Sequence, residues 1–548
     1  MKRRNPVYHL QPLALALLLA SGLGLAAQAP SAVPLYDNLG THHYSITTSN
    51  PQAQRYFDQG LRLYYAFNHQ EAIRAFSEAA RLDPACAMCH WGVALSLGPN
   101  INAPMDPAAA EPALAALERA REGQATAAER TLIEALATRY ASPPPEDRSE
   151  LDRAYAEAMG KVVRLYPDNL DAAALYAESL MDLSPWQYWK AEGEPRPDTP
   201  QILAQLERVI AANPQHPGAC HFFIHAVEAV QPERAVPCAE RLADLMPGAG
   251  HLVHMPGHIY IRVGRYEDAI RANEHAVHAD ETFIRDQNPA FGVYVAGYYP
   301  HNYDFLAFAA SMIGRSEQAL SASRKIAELV PEPMLREPGM TFLQHHMTRH
   351  LQMLVRFARW EELLAVPAPP TDLPHARGMW HYARGRALVA QGNTDAARDE
   401  LVALRTIAQD PRMAELRMEF NSSGAVLAIA SQVLEGQIAA GQGKPQEAVE
   451  RLREAARLED ALTYGEPPEW TVPVRQDLGS VLLESGQYQA AEQTFREDLR
   501  RFPDNGWSLH GLERSLQAQQ RNEEAGEVRQ RLERIWSGAD VSLAASGR

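Results

Sequence analysis

The 548-residue sequence lacks the short motifs that mark the common enzyme folds. It contains no G-x-S-x-G nucleophile elbow, no Walker-type phosphate loop, no H-E-x-x-H zinc motif and no glycine-rich dinucleotide fingerprint. Each of these motifs supplies a specific piece of chemistry, such as an exposed nucleophile or a phosphate cradle. The familiar hydrolase, kinase and dehydrogenase folds are therefore excluded as first choices for the function.

Strand-like alternation of apolar and polar residues is also scarce. Helical apolar spacing runs through nearly every segment instead, and alanine, leucine, glutamate and arginine are abundant. A chain of this length exceeds the usual size of a single core, so it forms either several domains or one extended array. The sequence therefore predicts an all-α protein.

Long apolar runs are missing outside the N-terminus. Residues 2–4 are basic, 13–19 form an apolar run and small residues follow around 26–29, a pattern typical of a secretory signal. No other segment approaches about 20 uninterrupted apolar residues. We expect a signal peptide at residues 1–29, export to a bacterial periplasm or the medium, and no integral membrane association after cleavage. A retained N-terminal anchor is the alternative.

Basic residues are too few and too scattered for a nucleic-acid-binding surface. The formal charge is −16, and acidic residues are interleaved in every arginine-containing helix. Binding to a phosphate backbone requires a basic face. We therefore expect no nucleic-acid partner, and expect instead a cation, a small molecule, a peptide or another protein.

Cysteine is scarce as well, with four residues: Cys86, Cys89, Cys220 and Cys238. Four cysteines are too few for a disulfide scaffold, but an exported protein can form two disulfides from them. The sequence does not assign their pairing. Cys220 and Cys238 are expected on the two helices of one hairpin, either bridged or as structural thiols.

What the sequence does contain is a repeat register. Small residues and a closing proline recur at the spacing of a unit of about 34 residues made of two antiparallel helices. The helices cross closely at the small residues, and the proline ends the second helix. The predicted fold is an all-α tetratricopeptide-repeat α-solenoid, a right-handed superhelix of helical hairpins that can curl around a central groove. The register is set by Gly60, Ala72, Phe76, Ala79 and Pro84, by Gly257, Gly264, Ala269 and Ala276, and by Ala307, Gly314, Ala319 and Pro331.

Interruptions of this register predict how the chain is organised. Two proline-rich insertions are predicted to be loops, which in solenoids often lie on one face and complete a binding site. They cover residues 98–107 and 184–200. The other predicted segments are a signal peptide at 1–29, an extended lead-in at 30–49, an N-terminal repeat array at 50–366, a linker at 367–374, a C-terminal repeat array at 375–534 and a polar tail at 535–548.

Histidines recur at one place in successive repeats, and 12 of the 20 histidines lie between His216 and His350. The second, fifth and ninth places of a repeat's first helix share one helical face, which lines the concave groove. The residues so predicted to face the groove are His251, His254 and His258, His301 and Asp304, His345, Cys86 and Cys89, and Asp171 and Glu178.

Two histidine pairs, His221 with His225 and His254 with His258, are spaced four residues apart, so the members of each pair share a helical face. Imidazoles with an occasional carboxylate suit zinc, copper or iron, whose ligands converge from different helices. We predict a transition-metal site in which an open coordination position would activate water or dioxygen for hydrolysis or oxidation, with Asp304 and Glu178 as acid–base candidates. The predicted ligands are His221, His225, His251, His254, His258, His301 and His345.

Two further roles for the histidines stay open. The groove can be a metal-free site for a peptide or a small molecule, as in many tetratricopeptide-repeat scaffolds, or the histidines can be satisfied structural residues. His381, which falls where these repeats often place an aromatic core residue, is expected to be a packing element. Nitrogens that converge from several helices would favour metal, whereas a row of histidines along the groove would favour a peptide.

The segment from Cys86 to His90 matches the C-x-x-C-H signature of covalent c-type haem, in which both thiols bond the haem and the histidine binds iron. The segment also fits the repeat register, with Trp91 and Gly92 at packing positions, so haem is not needed to account for it. The alternatives are a disulfide across one turn, a pair of soft metal ligands, or a redox-active thiol near a helix start.

The chain resembles a group of bacterial exported tetratricopeptide-repeat proteins of uncertain role, over nearly the whole mature sequence. In that group the place of His90 can hold another aromatic residue, which implies that the cysteines there do not require a haem ligand. The resemblance implies no catalytic residues. Its segments are Tyr56-Phe57-Asp58-Gln59-Gly60-Leu61, Phe67-Asn68-His69, Cys86-Ala87-Met88-Cys89, Gly98-Pro99-Asn100-Ile101-Asn102, Met255-Pro256-Gly257-His258-Ile259-Tyr260, Tyr299-Pro300-His301-Asn302 and Glu466-Pro467-Pro468-Glu469-Trp470.

Overall fold

A computed structural model of the chain describes residues 33–190, 193–289, 292, 294–337 and 339–543. Within these ranges the regular structure is helical, and no strand longer than an isolated bridge is present. The predicted signal peptide and the end of the predicted tail lie outside the described residues. No described helix has the combination of length and apolar character that a membrane crossing requires.

The chain divides into two compact units between Ala226 and Val227. The predicted linker at 367–374 lies inside the second unit, and its last residue, Pro374, begins a helix. The helices of the first unit are α1 (Pro51–Tyr65), α2 (His69–Leu82), α3 (Ala87–Ser96), α4 (Ala110–Glu122), α5 (Ala127–Ala137), α6 (Ser149–Leu165), α7 (Leu170–Met181), α8 (Thr199–Ala212) and α9 (Pro217–Val227).

The second unit continues the helical pattern to the end of the described chain. Its helices are α10 (Val236–Leu245), α11 (Gly250–His254), α12 (Pro256–Arg262), α13 (Tyr266–Gln287), α14 (Tyr299–Met312), α15 (Ser316–Leu329), α16 (Leu343–Arg356), α17 (Trp360–Ala365), α18 (Pro374–Ala390), α19 (Thr394–Ala408), α20 (Arg412–Glu415), α21 (Ser423–Gly441), α22 (Pro445–Asp460), α23 (Val474–Glu484), α24 (Tyr488–Arg501), α25 (Gly506–Ala518) and α26 (Asn522–Ile535).

Phe76 on α2 shows why the repeats need glycine. A Cβ atom at Gly60 on α1 would lie 2.7 Å from the Phe76 ring, and one at Gly92 on α3 would lie 2.4 Å from it. The first helices of two successive repeats therefore pack on one aromatic ring, and a larger side chain would separate them. The predicted register is confirmed, and the protein is an all-α tetratricopeptide-repeat solenoid.

The same arrangement recurs within the second unit around Phe495 on α24. A Cβ atom at Gly479 on α23 would lie 2.5 Å from this ring, and one at Gly511 on α25 would lie 2.2 Å from it. Phe495 is 2% exposed, so the ring fills the space between three consecutive helices. One packing solution thus holds for repeats near both ends of the sequence.

The two insertions are irregular, as expected, and they meet inside the first unit. Trp186 of the second insertion donates a hydrogen bond from its indole N–H to the side-chain oxygen of Asn102 in the first, at 3.1 Å. Trp186 has a backbone φ of 63°, a left-handed conformation that a bulky residue adopts only when its surroundings enforce it. The Trp186 ring lies 5.0 Å from that of His225. The two loops are therefore one structural feature beside α9.

Candidate metal centre

Three histidines of the second unit come together: His254 at the end of α11, His258 in α12 and His301 in the first turn of α14. Met255, between the two short helices, has helical dihedrals, so His254 and His258 still project from one face. One ring nitrogen of each histidine lies within 4.8 Å of those of the other two. We call these three residues the histidine trio.

Asp280 on α13 helps to position two of the helices that carry the trio. One of its oxygens accepts a hydrogen bond from the side-chain amide of Asn302, next to His301, at 2.7 Å, and the other accepts one from Tyr294. A Cβ atom at Gly250, the first residue of α11, would overlap the Asp280 carboxylate. Glycine at this position lets α11 approach Asp280 closely. The carboxylate thereby connects the start of α11 to the start of α14.

Asn273 on α13 determines which nitrogen of His254 carries a hydrogen. The Asn273 amide nitrogen donates to the backbone oxygen of Ala269 at 2.7 Å, so its side-chain oxygen faces His254 Nδ1, at 2.7 Å. That oxygen can only accept, so Nδ1 of His254 is the donor. A Cβ atom at Gly257 would lie 2.7 Å from the Asn273 amide nitrogen. Glycine in the Met-Pro-Gly-His segment therefore leaves room for this contact.

Two buried carboxylates determine which nitrogen of His258 carries a hydrogen. Its Nδ1 lies 2.8 Å from a Glu228 oxygen and 3.3 Å from a Glu466 oxygen. The other Glu466 oxygen accepts a hydrogen bond from Tyr464 and lies 3.5 Å from Arg262 Nε. Burial alone would lower the pKa of His258, but Glu228 and Glu466 raise it to about 9. Nδ1 of His258 is thus a donor to carboxylate, and Nε2 faces away from both glutamates.

The decisive geometry is between the remaining nitrogens: Nε2 of His254 and Nε2 of His258 lie 2.9 Å apart. Because both Nδ1 atoms are donors, each Nε2 of a neutral ring presents a lone pair to the other. Two lone pairs at this distance repel unless a positive charge lies between them. A proton meets that requirement, and so does a metal ion, with Asn273 and Glu228 as the outer partners that orient the rings.

His301 completes the trio as a neutral imidazole. Burial first, and then His254 and His258, hold its pKa well below the usual range. Its ring centroid lies 4.9 Å from that of His254 and 5.7 Å from that of His258, and all three rings pack against Phe305. His301 is half-buried whereas the other two are buried, so it is the member of the trio nearest to solvent.

The trio fits a transition metal with small adjustments. In a tetrahedral site with metal–nitrogen distances of about 2.0–2.1 Å, ligand nitrogens lie roughly 3.3 Å apart. The 2.9 Å pair must therefore separate by a few tenths of an ångström, and His301 must close a gap of at most 4.8 Å to its neighbours. Glu228 and Glu466 bind Nδ1, on the far side of His258, so they are not ligands. Three imidazoles leave a fourth position open.

The other predicted ligands of the second unit lie in different surroundings. His251 packs its ring 4.6 Å from that of Tyr298. His345 Nδ1 lies 2.9 Å from His375 Nε2, in a buried chain that continues to Ser423, and His345 belongs to no metal-capable group of the described residues. His345 is therefore a hydrogen-bonded core residue here, because the packing of α16 on α18 supplies His375 as its partner.

Asp304, the acid–base candidate of this unit, is held by Arg349. Its carboxylate lies 2.7 and 2.9 Å from two guanidinium nitrogens, and both residues are buried. Burial raises the pKa of Asp304, and Arg349 opposes that rise. Asp304 compensates a buried arginine, which leaves it poorly placed to move a proton.

In the first unit, His221 and His225 share a face of α9, as expected, with ring centroids 4.9 Å apart. His221 Nδ1 donates to the backbone oxygen of Tyr65 at 2.7 Å, which leaves its Nε2 as the acceptor. Glu178, the other acid–base candidate, is buried and accepts a hydrogen bond from Tyr64 at 2.7 Å, and burial first and Asp182 second raise its pKa. The four-nitrogen set that would join this pair to His254 and His258 stays a prediction.

Cys86 and Cys89 form a disulfide across the first turn of α3. Both sulfurs are used in this bond, and neither is left for a thioether to haem. His90 Nε2 lies 3.2 Å from the backbone oxygen of Pro84, so the proposed iron ligand is engaged with a carbonyl group. Of the alternatives for this motif, the structure contains the disulfide. Cys220 and Cys238 are not free thiols.

Sequence reasoning missed a second imidazole–carboxylate group, His42, Asp171 and His216, in the first unit. Asp171 Oδ1 accepts hydrogen bonds from His42 Nε2 and from the Tyr65 hydroxyl, each at 2.8 Å. The same oxygen lies 3.4 Å from His216 Nε2. His216 Nδ1 accepts the backbone N–H of Ala219 at the start of α9, so its Nε2 carries the hydrogen. The two histidine nitrogens that face Asp171 therefore carry hydrogens, so the group is a hydrogen-bond network rather than a metal site.

It also missed the outer partners of the trio. No sequence pattern links Asn273 or Glu228 to the trio, since Asn273 lies on α13 and Glu228 follows α9, outside the helices that carry the three histidines. Glu466 lies in a proline-flanked loop, yet the residue is 3% exposed and contacts His258. Only its neighbours Tyr464 and Arg262, which offer a donor and a cation, account for that burial.

Comparisons with known proteins find solved structures of low similarity. No protein-family model matches the chain, and no curated protein matches it. The human IFIT1 dimer with m7Gppp-AAAA is 14% identical, with a TM-score of 0.32 over 89% of this chain and 91% of that one. The APC/C hetero-tetramer Cut9–Hcn1 is 13% identical, with a TM-score of 0.32 over 86% of this chain and 78% of that one. The TPR domain of P58(IPK) is 12% identical, with a TM-score of 0.22 over 86% and 99%.

Proposed function

We propose that this protein is an exported tetratricopeptide-repeat protein that binds one transition-metal ion through His254, His258 and His301. One observation carries the proposal: two imidazoles whose Nδ1 atoms are both engaged bring their Nε2 atoms to 2.9 Å. That arrangement matches metal-binding histidines, whose second nitrogen donates to an amide or carboxylate oxygen. The group of His42, Asp171 and His216 does not have this arrangement. In that group His216 Nδ1 accepts a backbone N–H, so its Nε2 carries a hydrogen and has no lone pair for a metal.

The donor set restricts the metal. Three imidazoles without thiolate suit zinc, copper or iron and disfavour magnesium and calcium, which prefer oxygen ligands. The open fourth position takes water or a small substrate, and the half-buried His301 places it toward the more accessible side of the trio. A metal there would act as a Lewis acid and lower the pKa of bound water. The reaction class is therefore a metal-dependent hydrolysis or oxidation.

Export belongs to the proposal because of the basic, apolar and small-residue segments at 2–4, 13–19 and 26–29. The absence of a nucleic-acid partner remains an expectation from the charge of −16. A peptide-binding scaffold is the second candidate function. It is favoured by a separate observation in the first unit, where side chains hold an extended segment by its backbone groups.

Elemental analysis of the protein isolated from its own compartment tests the proposal. We expect about one equivalent of zinc, copper or iron in the wild type and none in a His254→Ala, His258→Ala double variant. The matched control is His275→Ala with His278→Ala, which removes two exposed histidines from α13 and should leave the metal content unchanged. Metal retained by the first variant, or a metal-free wild type from metal-replete cells, contradicts the proposal.

A further inference from the structure

Residues 33–49, the described part of the lead-in, form no helix or strand, yet they are placed closely against α1. Helix α1 begins at Pro51, and Asn50 caps it through its side-chain oxygen. The lead-in bends at residues 37–39 and at Gly40, which has a φ of 74°, and its backbone polar groups must find partners outside any regular structure. Side chains of the first unit supply those partners.

The first contact region surrounds Gln59. Its side-chain oxygen accepts the backbone N–H of Tyr36 at 2.8 Å, and its side-chain nitrogen donates to the backbone oxygen of Pro34 at 2.9 Å. The Tyr56 hydroxyl donates to the backbone oxygen of Val33 at 2.8 Å. One amide side chain thus binds both a donor and an acceptor of the lead-in backbone.

Gln54 repeats this arrangement one helical turn away. Its nitrogen donates to the backbone oxygen of Tyr44 at 2.9 Å, and its oxygen accepts the N–H of Ile46 at 3.1 Å. Asp58 accepts the N–H of Tyr44 at 3.2 Å, and Arg62 Nε donates to the backbone oxygen of His42 at 2.6 Å. Such contacts hold an extended chain whatever its side chains are, which is how a peptide-binding surface gains affinity.

Side chains of the lead-in make contacts as well, among them those of His42 and Tyr44. His42 donates to Asp171 at 2.8 Å, and its side chain is 8% exposed against His216 and Tyr65. The Tyr44 hydroxyl accepts a hydrogen bond from Asn169 at 2.9 Å. His43, between them, has a side chain that is 55% exposed, and its Nδ1 lies 2.8 Å from an Asp58 oxygen. The surface therefore binds an imidazole and a phenol that are two positions apart in the lead-in.

We propose that this surface, formed by Gln54, Asp58, Gln59, Arg62 and Asp171, is a peptide-binding site whose resident ligand is the chain's own lead-in. Its partner is an extended peptide with a His-x-Tyr sequence, which exchanges with the lead-in. Gln54 and Asp171 both occupy the second place of their repeats, the place expected to face the groove. The site is independent of the metal proposed above, because none of its residues belongs to the histidine trio.

The exchange can be measured on the full chain. A protease recognition sequence inserted between the exposed Ser49 and Asn50 leaves the cap of α1 in place and allows the folded protein to be nicked. A fluorescein-labelled synthetic peptide of residues 33–49 is then added, and its anisotropy is followed. We expect the nicked protein to take up the peptide and the uncut protein to take up much less, because its tethered lead-in competes at high effective concentration.

Matched variants test which contacts matter. A peptide carrying His42→Ala and Tyr44→Phe should bind roughly tenfold or more weakly, because it loses one charge-assisted and one neutral hydrogen bond. Asp171→Asn in the nicked protein should weaken binding of the wild-type peptide, as should Gln54→Ala. Asp168→Asn, at an exposed position three residues before Asp171, should leave it unchanged.

The proposal is overturned by any of three results. The nicked protein keeps its circular dichroism but takes up no peptide, or it unfolds on nicking, which would make the lead-in a structural part of the unit. Alternatively, a scrambled peptide binds as well as the native one. Metal content stays unaffected in each case, so the outcome is separable from that of the metal experiment.

Discussion

His254 Nε2 lies 2.9 Å from His258 Nε2, while the two Nδ1 atoms donate to Asn273 and Glu228. Each interaction by itself is ordinary for a buried imidazole. Together they bring the two Nε2 atoms to one point, next to a third imidazole, His301, and that point requires a positive charge, either a proton or a metal ion. A cation that both rings bind accounts for the arrangement.

Asn273→Ala should weaken metal binding without removing a ligand. The variant leaves His254 Nδ1 without its acceptor, so the ring and its tautomer are no longer fixed, and such losses typically cost about 10- to 100-fold in affinity. Zinc affinity measured by competition with a chelating dye checks this. Glu274→Ala, at an exposed position next to Asn273 on the same helix, serves as the control. Equal affinity in both variants would show that Asn273 has no role in orientation.

Gly257→Ala should act on the same contact from the other side. The new methyl group would lie 2.7 Å from the Asn273 amide nitrogen, so Asn273 must move and His254 loses its fixed partner. We expect a loss of roughly 1–3 kcal/mol in unfolding free energy, typical of overpacking, together with weaker zinc binding. Gly526→Ala on α26 is the control, since its Cβ would meet no atom within 4 Å. Unchanged zinc affinity in Gly257→Ala would argue against the assigned Asn273 contact.

Glu459 gives a pH dependence that is independent of the trio. Burial is the main cause that raises its pKa from 4.5 to about 8. Above pH 4.5 the unfolded chain loses this proton while the folded chain keeps it, so the free energy of unfolding falls as pH rises toward 8, by about 1.4 kcal/mol per unit at most. Glu459→Gln should abolish this part of the slope.

Urea unfolding at pH 5 and pH 8, with a chelator present, measures the effect. Relative to the wild type, Glu459→Gln should gain stability between the two values, whereas Glu450→Gln, an exposed change on the same helix, should follow the wild type. Parallel slopes for all three proteins would place the folded pKa of Glu459 near its ordinary value.

Removing the first disulfide should leave the metal site intact. We expect Cys86→Ser with Cys89→Ser to remain folded and to keep its metal, because the bond closes a loop of only a few residues and so constrains the unfolded chain little. Covalent haem should be absent from the wild type after denaturation, as measured by its visible spectrum. A covalent haem spectrum that the double variant loses would instead support haem attachment at the C-x-x-C-H motif.

Much of the fold was predictable because the packing residues of each repeat lie close together in the sequence. Gly60 and Phe76 lie within one hairpin, and their spacing alone indicates a close helix crossing. The pairing of His254 with His258 follows equally from a spacing of four. His301 was also predictable, since the second place of the next repeat projects to the same side as the fifth and ninth places of this one.

The rest depends on contacts between distant segments, which no local pattern encodes. Asn273 reaches His254 only because α13 packs back on α11, and Glu466 reaches His258 from a loop more than 200 residues away in sequence. His345 has the spacing of a ligand, yet it meets His375 instead, because α16 packs on α18. Helical periodicity places a residue on a face, and tertiary packing decides what it meets.

X-ray absorption spectroscopy of the metal-loaded protein tests the central claim most directly. The proposal predicts about three imidazole nitrogens at roughly 2.0–2.1 Å from the metal and an oxygen ligand at the open position, with no sulfur. The same spectrum should be lost in His254→Ala with His258→Ala and kept in His275→Ala with His278→Ala. A sulfur-containing or all-oxygen shell, or a spectrum unchanged in the first variant, would contradict a metal centre at the histidine trio.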